Sequence, residues 1–228
     1  MEIIARIKTD FPTKFGLPRQ SGLIEEIGGK IVFEKKYRIP EALRGLEGFS
    51  HIWLLWQFSA AERRGGDDWS PTVRPPMLGG NKRMGVFATR SPFRPNPIGM
   101  SAVKIEKIEL GTDEGPVIYV SGADLMDGTP IYDIKPYLPL ADCIPEALGG
   151  FSEETESRQL KVDFPENLLS LIKKDKQTAL LKALESDPRP SYQNDSERVY
   201  GFFFSDLEVF FKVNDGVLSV VKVEKRVR

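Results

Sequence analysis

One cysteine and one histidine occur in the 228 residues, and their scarcity removes whole classes of chemistry. Cys143 has no partner for an internal disulfide, and with His51 as its sole companion it cannot assemble the usual Cys/His zinc sites, so no metal is expected. A lone histidine also rules out most Ser/His/Asp triads, and no Gly-x-Ser-x-Gly elbow is present. The glycine fingerprints of dinucleotide and nucleoside-triphosphate cradles are missing as well. The longest apolar run, residues 52–56, is too short to cross a bilayer, and the N-terminal residues show no basic-then-apolar pattern. The expectation is a cytoplasmic protein with no membrane partner. Cys143, in Ala-Asp-Cys-Ile-Pro without a second histidine to activate it, reads as a small packed side chain.

What is present suits a folded chain. Hydrophobic residues make up 40% and charged residues 29%, with 14 Phe and 3 Trp, which is enough apolar material for a real core. A net charge of −1 argues against bulk electrostatic capture of nucleic acid. The distribution says more than the sum. Residues 70–105 contain no Asp or Glu but carry Arg74, Lys82, Arg83, Arg90, Arg94 and Lys104, a block of +6 in a chain whose remainder therefore sums to −7. Such a block is either a solvated loop or a surface that receives phosphates.

Short alternating or apolar runs predict strands over residues 2–8, 30–37, 49–58, 84–89, 98–109, 117–122 and 131–138, with a short helix opened by Pro40-Glu41. Residues 49–58 are apolar on both faces and read as a fully buried strand. His51 is accordingly assigned to a hydrogen-bonded place in the core rather than to catalysis. Six or seven short strands with almost no helix between them predict a mainly β fold, a small closed barrel and not a βαβ array. Residues 60–83 form a connection long enough to be a site loop. Composition shifts toward Gly, Ser and Glu over residues 149–163, separating a barrel domain of residues 1–150 from a small α+β domain of residues 160–228. The second unit reads as an amphipathic helix over 168–184 and a three-stranded antiparallel meander at 199–204, 208–213 and 217–223, with Asn214-Asp215-Gly216 as a tight hairpin turn.

Three loops are stiffened by proline and opened by glycine: GLPRQSG (16–22), TRSPFRPNPIG (89–99) and DLMDGTP (124–130). Such loops hold backbone donors and acceptors in fixed places for a small polar ligand. With LEGFSHIWLLWQF, RPPMLGGNKRMGVFATRSPFRPNPIGMS, DLMDGTPIYDIKPYLPLAD and DPRPSY, they make the chain resemble the TrmO or TsaA-like family from end to end. The resemblance implies a β-barrel homodimer that binds S-adenosylmethionine and methylates the exocyclic nitrogen of threonylcarbamoyl-adenosine beside the tRNA anticodon. It further implies cofactor contacts at Pro18, Arg19 and Gln20, at Ser59 and Ala60, at Arg90, at Met100, and through Asp127, Gly128, Thr129 and Pro130.

The residue chemistry is compatible. A sulfonium cofactor needs a cation for its carboxylate, for which Arg90 or Arg19 serves, and polar loop atoms for its nucleoside. It brings its own leaving group, so positioning carries most of the catalysis. The target nitrogen, set between a purine and a urea-like carbonyl, is a poor nucleophile that a base assists. Asp127, Asp133 and Tyr137 are the candidates, with Asp127 and Tyr137 taken forward. Substrate contacts are expected from Lys82, Arg83 and Arg94 of the basic block and from Lys135, which otherwise pairs with Asp133. Asp187, Arg189 and Tyr192 of DPRPSY join them, because an arginine and an aromatic suit phosphate and base recognition. The rival readings are a barrel that holds RNA or a nucleotide without chemistry, and a methyltransferase acting on a different, smaller acceptor.

Overall fold

The computed structural model describes residues 1–58, 69–78, 82–153, 159–189 and 195–226. The first strands are β1 (Ala5–Lys8), β2 (Gly28–Phe33) and β3 (His51–Gln57), followed by a short pair, β4 (Thr72–Val73) and β5 (Met84–Gly85). Then come β6 (Ile98–Thr112), β7 (Gly115–Ser121) and β8 (Pro130–Pro136). Six of these close into an antiparallel barrel in the order β1-β2-β7-β6-β3-β8. Alternation is clearest in four strands, where Ile7, Ile31, Leu54 and Val103 point into one core while their neighbours are exposed or half-exposed; β7 and β8 add Ile118 and Ile131 to the same core.

Strand β3 departs from the sequence expectation. It is not buried on both faces: Ile52, Leu54 and Trp56 point inward, whereas His51 is exposed and Trp53, Leu55 and Gln57 are half-exposed on the outside. A barrel has one interior, and the outer face is only partly covered. Tyr137 lies 5.5 Å from the Trp53 ring, and Asp142 accepts the Trp53 Nε1–H at 2.8 Å. His51 is thus no core residue; its Nδ1 is 2.9 Å from the Ser50 hydroxyl at the solvent-facing start of the strand. Cys143, just after the short helix α1 (Pro139–Asp142), is likewise exposed rather than packed. The strand expected over 84–89 shortens to β5, because the chain turns at Val86–Ala88, burying Val86 and letting the Thr89 hydroxyl donate to the Val86 carbonyl at 2.8 Å.

The C-terminal unit consists of β9 (Lys161–Asp163), α2 (Glu166–Leu169), α3 (Lys174–Glu185), β10 (Tyr200–Phe204), β11 (Leu207–Asn214) and β12 (Val217–Lys225). Its sheet has four strands, β10-β11-β12-β9, and not three, since β9 from the polar linking region adds in parallel to β12. The expected single helix over 168–184 is two. Gln177 Nε2 donates to the carbonyls of Leu169 and Ile172, both at 3.1 Å, which satisfies the groups freed at the break, and Ile172 drops into the core. The hairpin at 214–216 forms as expected: Asp215 and Gly216 take φ of 46° and 76° between the paired Asn214 and Val217.

A second hydrophobic core lies between this sheet and α3, and the C-terminal unit does not build it alone. Phe11, Ile24 and Ile27 are buried within it, and Phe15 and Leu17 pack against it. Phe11 meets Phe204 edge-on at 5.3 Å, Asp10 pairs with Lys176, and the Ser205 N–H donates to the Asp10 carbonyl at 2.6 Å. Gly16 lies against the Phe202 ring with φ of 90°, where a Cβ would stand 2.6 Å from a ring carbon. Residues 9–27, which carry the GLPRQSG loop, are therefore set by the barrel at both ends and by the second core in between.

Candidate active site

A cavity of about 660 Å³ opens where β3 finishes and β6 begins. One wall is the GLPRQSG loop at Leu17, Pro18, Arg19 and Gln20; the facing wall is the TRSPFRPNPIG loop at Arg90, Phe93 and Arg94. Trp56, Gly99, Met100, Asp124, Met126 and Thr129 also line it.

Local chemistry fixes each part. Gly22 N–H donates to the Gly122 carbonyl at 2.9 Å, tying the first loop to the end of β7. In the second loop the Ser91 N–H donates to the Thr89 hydroxyl at 3.3 Å and Arg94 Nη1 to the Thr89 carbonyl at 3.1 Å, which leaves Phe93 exposed. Arg90 Nη1 donates to the Gln20 side-chain carbonyl and joins the two loops. The Trp56 indole fills the space that a Cβ on Gly99 would need. Its Nε1–H donates to the Ser101 hydroxyl at 3.0 Å, and that hydroxyl donates to Asp124 Oδ1 at 2.6 Å.

Burial pushes the Asp124 carboxyl above its ordinary value. Hydrogen bonds from Ser101 and from the backbone N–H groups of Asp124 and Ser21, with the nearby Arg90 charge, act in the opposite direction. Among the described residues that line the cavity, the charges are otherwise all cationic: Lys14, Arg19, Arg90 and Arg94. The site thus offers cations for a carboxylate or phosphate, apolar and aromatic walls for a flat ring, and one half-buried carboxylate.

Of the residues expected from sequence to hold the cofactor, Pro18, Arg19, Gln20, Arg90, Met100 and Thr129 line this one cavity, together with Arg94, expected on the substrate side. Asp127, Gly128 and Pro130 do not. Asp127 is exposed and its Oδ1 accepts the Thr9 N–H at 3.1 Å, while the Gly128 carbonyl accepts from Arg6 at 3.1 Å, so the turn is clamped to β1 and shapes the wall from behind. Tyr137 is at the other end of the barrel: its N–H donates to the His51 carbonyl at 3.0 Å, and Trp56 lies five residues further along β3. At about 3.3 Å per residue that is roughly 17 Å, so Tyr137 does not reach the cavity of its own chain. Lys135 and Asp133 form an exposed pair at 3.2 Å on that outer face. Ser59, Ala60 and Tyr192 lie outside the described residues.

Asp187 and Arg189 are not presented to a ligand. They are buried in a two-pronged pair, Nε to Oδ1 at 2.8 Å and Nη2 to Oδ2 at 2.9 Å, with the guanidinium 5.9 Å from the Tyr200 ring centre. The polar character of DPRPSY at these two positions is spent inside the fold. Lys82 and Arg83 are exposed, Arg83 donating to the Thr72 hydroxyl at 2.7 Å. Sequence reasoning missed Asp124, Trp56 and Ser101, and also Trp69 and Phe87, two exposed rings 6.0 Å apart beside the basic block. Phe87, an aromatic inside the stretch free of acidic residues, was the available signal, and Trp69 stands just before that stretch.

Among the described residues no cluster of His, Cys, Asp and Glu is arranged to hold a metal ion, and no helix is long and apolar enough to cross a membrane. The family model described as tRNA-methyltransferase O N-terminal domain matches residues 6–143, and that described as TrmO C-terminal domain matches residues 157–226. The chain is 40% identical to the tRNA (adenine(37)-N6)-methyltransferase of Escherichia coli (strain K12), over 99% of this chain and 97% of that protein. It is 35% identical to a probable S-adenosyl-L-methionine-binding protein of Pyrococcus abyssi, over 61% of this chain and 68% of that one. A crystal structure of TrmO from Pseudomonas aeruginosa superposes with a TM-score of 0.76 at 33% identity, covering 98% of this chain and 95% of that chain. With both family models matched and the barrel, the loops and the second sheet in place, the chain belongs to the tRNA-methyltransferase O (TrmO) family.

Proposed function

We propose that this chain transfers a methyl group from S-adenosylmethionine to the exocyclic nitrogen of threonylcarbamoyl-adenosine next to a tRNA anticodon. The observation that carries the reading is the convergence of GLPRQSG, TRSPFRPNPIG and DLMDGTP on one cavity with the family's sequence around it. The residues present fit the cofactor. Arg90 or Arg19 would meet its carboxylate, Gln20 and the loop backbone its polar edges, and Leu17, Phe93 and Met100 its apolar surface; Thr129 lines the wall framed by Asp127, Gly128 and Pro130. When bound, S-adenosylmethionine supplies an electrophilic methyl on a sulfonium that leaves as a neutral thioether. The protein's part is to orient, to exclude water and to accept a proton.

The acceptor approaches over the face that carries Lys82, Arg83, Trp69, Phe87 and Phe93, where cations meet phosphates and exposed rings stack on splayed bases. The chain divides into a barrel that holds the cofactor, residues 1–150, and a C-terminal unit, residues 160–228, that braces the GLPRQSG loop. Two copies associate through residues 138–150, whose Leu140, Ile144 and Leu148 are exposed apolar side chains. Leu140→Ser with Leu148→Ser should then halve the mass measured by light scattering. A cytoplasmic location is part of the same proposal, since the acceptor is tRNA. The decisive assay is transfer of labelled methyl to tRNA purified with and without its threonylcarbamoyl group. Label is expected only in the modified pool; equal labelling of both, or of neither, refutes the reading.

A further inference from the structure

Transfer of a methyl group to an N–H nitrogen releases one proton, and the acceptor of that proton is unassigned. Backbone carbonyls and arginines do not take protons at neutral pH. The described charged residues around the cavity are Lys14, Arg19, Arg90 and Arg94, all cations, and Asp124. Asp127 is turned toward Thr9 and Tyr137 lies at the far end of the barrel, so neither reaches the cavity of its own chain. We infer that Asp124 is the proton acceptor of the methyl transfer, held in aim by the Trp56–Ser101 relay.

The inference rests on the methyl-transfer reading above. In the step, the acceptor nitrogen forms the N–C bond with its lone pair, and the C–S bond of the methylsulfonium donor breaks with its pair returning to sulfur. The N–H proton passes to the Asp124 carboxylate and from there to solvent. The geometry supports it in three ways. A carboxylate has about four lone-pair positions. The Ser101 hydroxyl fills one of them at 2.6 Å and the nearby backbone N–H groups of Asp124 and Ser21 favour the anion, while the carboxylate itself lines the cavity. Those same donors come from β6, from the end of β7 and from GLPRQSG, so the base moves with the loops that would hold the methyl donor. Burial raises the proton affinity of the carboxylate above that of an exposed aspartate, which suits a base, while the three donors and Arg90 keep its anion attainable.

The test combines single-turnover methyl transfer to modified tRNA, measured against pH, with calorimetric binding of S-adenosylmethionine and carboxyl NMR of the cofactor-free protein. In the parent, the rate should climb tenfold per pH unit below the Asp124 titration and then level, and one aspartate signal should titrate above the ordinary 3.8 of that side chain. Asp124→Asn should lower the plateau about 100-fold or more, abolish the acid limb and leave cofactor affinity within about threefold. Ser101→Ala removes a bond that lowers the Asp124 titration, so its acid limb and its NMR signal should both move to higher pH. An Asp124→Asn rate within threefold of the parent overturns the inference, as does a tenfold loss of cofactor affinity, which would make Asp124 a cofactor ligand. An unmoved limb in Ser101→Ala overturns it too. Absence of transfer by the parent itself overturns the reading of the site, a different failure.

Discussion

Gly16→Ala isolates the dependence of the cofactor loop on the C-terminal unit. Two costs add at this position. Gly16 has φ of 90°, where an L-residue is strained by about 1–2 kcal/mol. The new methyl would also stand 2.6 Å from a carbon of Phe202, a fully buried ring, and forcing a methyl into packed space costs about 1–3 kcal/mol. Together they amount to about 2–5 kcal/mol, relieved only by unfolding or by displacing the loop. Displacement carries Pro18, Arg19 and Gln20 with it, so urea denaturation should show lost stability and calorimetry a weaker affinity for S-adenosylmethionine. Gly22→Ala is the internal control: φ is 77° but nothing lies within 4 Å of its Cβ position, so only the backbone cost of about 1–2 kcal/mol remains. Gly16→Ala combined with Phe202→Leu should recover part of the affinity lost in Gly16→Ala alone. If Gly16→Ala matches Gly22→Ala in both stability and affinity, Phe202 does not position the loop and the coupling between the two cores is refuted.

Arg90→Ala should weaken cofactor binding by about 1.5–3 kcal/mol through loss of a charge-assisted contact, measured by calorimetry on the folded variant. Neutralising Lys82 and Arg83 together should flatten the log–log dependence of tRNA affinity on salt by about one to two units with cofactor affinity unchanged; an unchanged slope assigns both to a solvated loop. Arg189→Ala should cost about 3–5 kcal/mol of stability in urea melts, since it strands the buried Asp187 carboxylate, and loss of tRNA binding without loss of stability would restore a direct substrate role.

The barrel was legible because its strands are short apolar runs punctuated by turn residues with almost no helix between them, and the Asn214-Asp215-Gly216 turn marked the C-terminal hairpin in the same local way; the one-sided burial of β3 was not, since residues 52–56 are apolar throughout. The three site loops were legible for a similar reason, as runs of proline and glycine with few other uses. The base was not. Asp124 and Asp127 sit in one heptapeptide and are equivalent on paper; what separates them is that Ser101 and Trp56 reach Asp124 from other strands while Thr9 claims Asp127. Arg189 was misread by the same limitation, because its carboxylate partner two residues earlier, backed by Tyr200, turns a ligand-like side chain into an internal strut. The exposure of His51 shows that composition alone does not tell the inside of a strand from its outside at the first residue.

The second core also sets an order of assembly. Phe11 leaves the ribosome early, but its partner Phe204 follows 193 positions later. At about 5–20 residues per second the first-made apolar segment waits roughly 10–40 s for the surface that covers it. Until then Phe11, Ile24 and Ile27 are exposed on a nascent chain whose barrel strands are already synthesised, and the GLPRQSG loop lacks its support. A prematurely terminated product would therefore display a sticky N-terminal flap instead of a working cofactor pocket. Completion of the polypeptide and competence to bind the methyl donor become the same event.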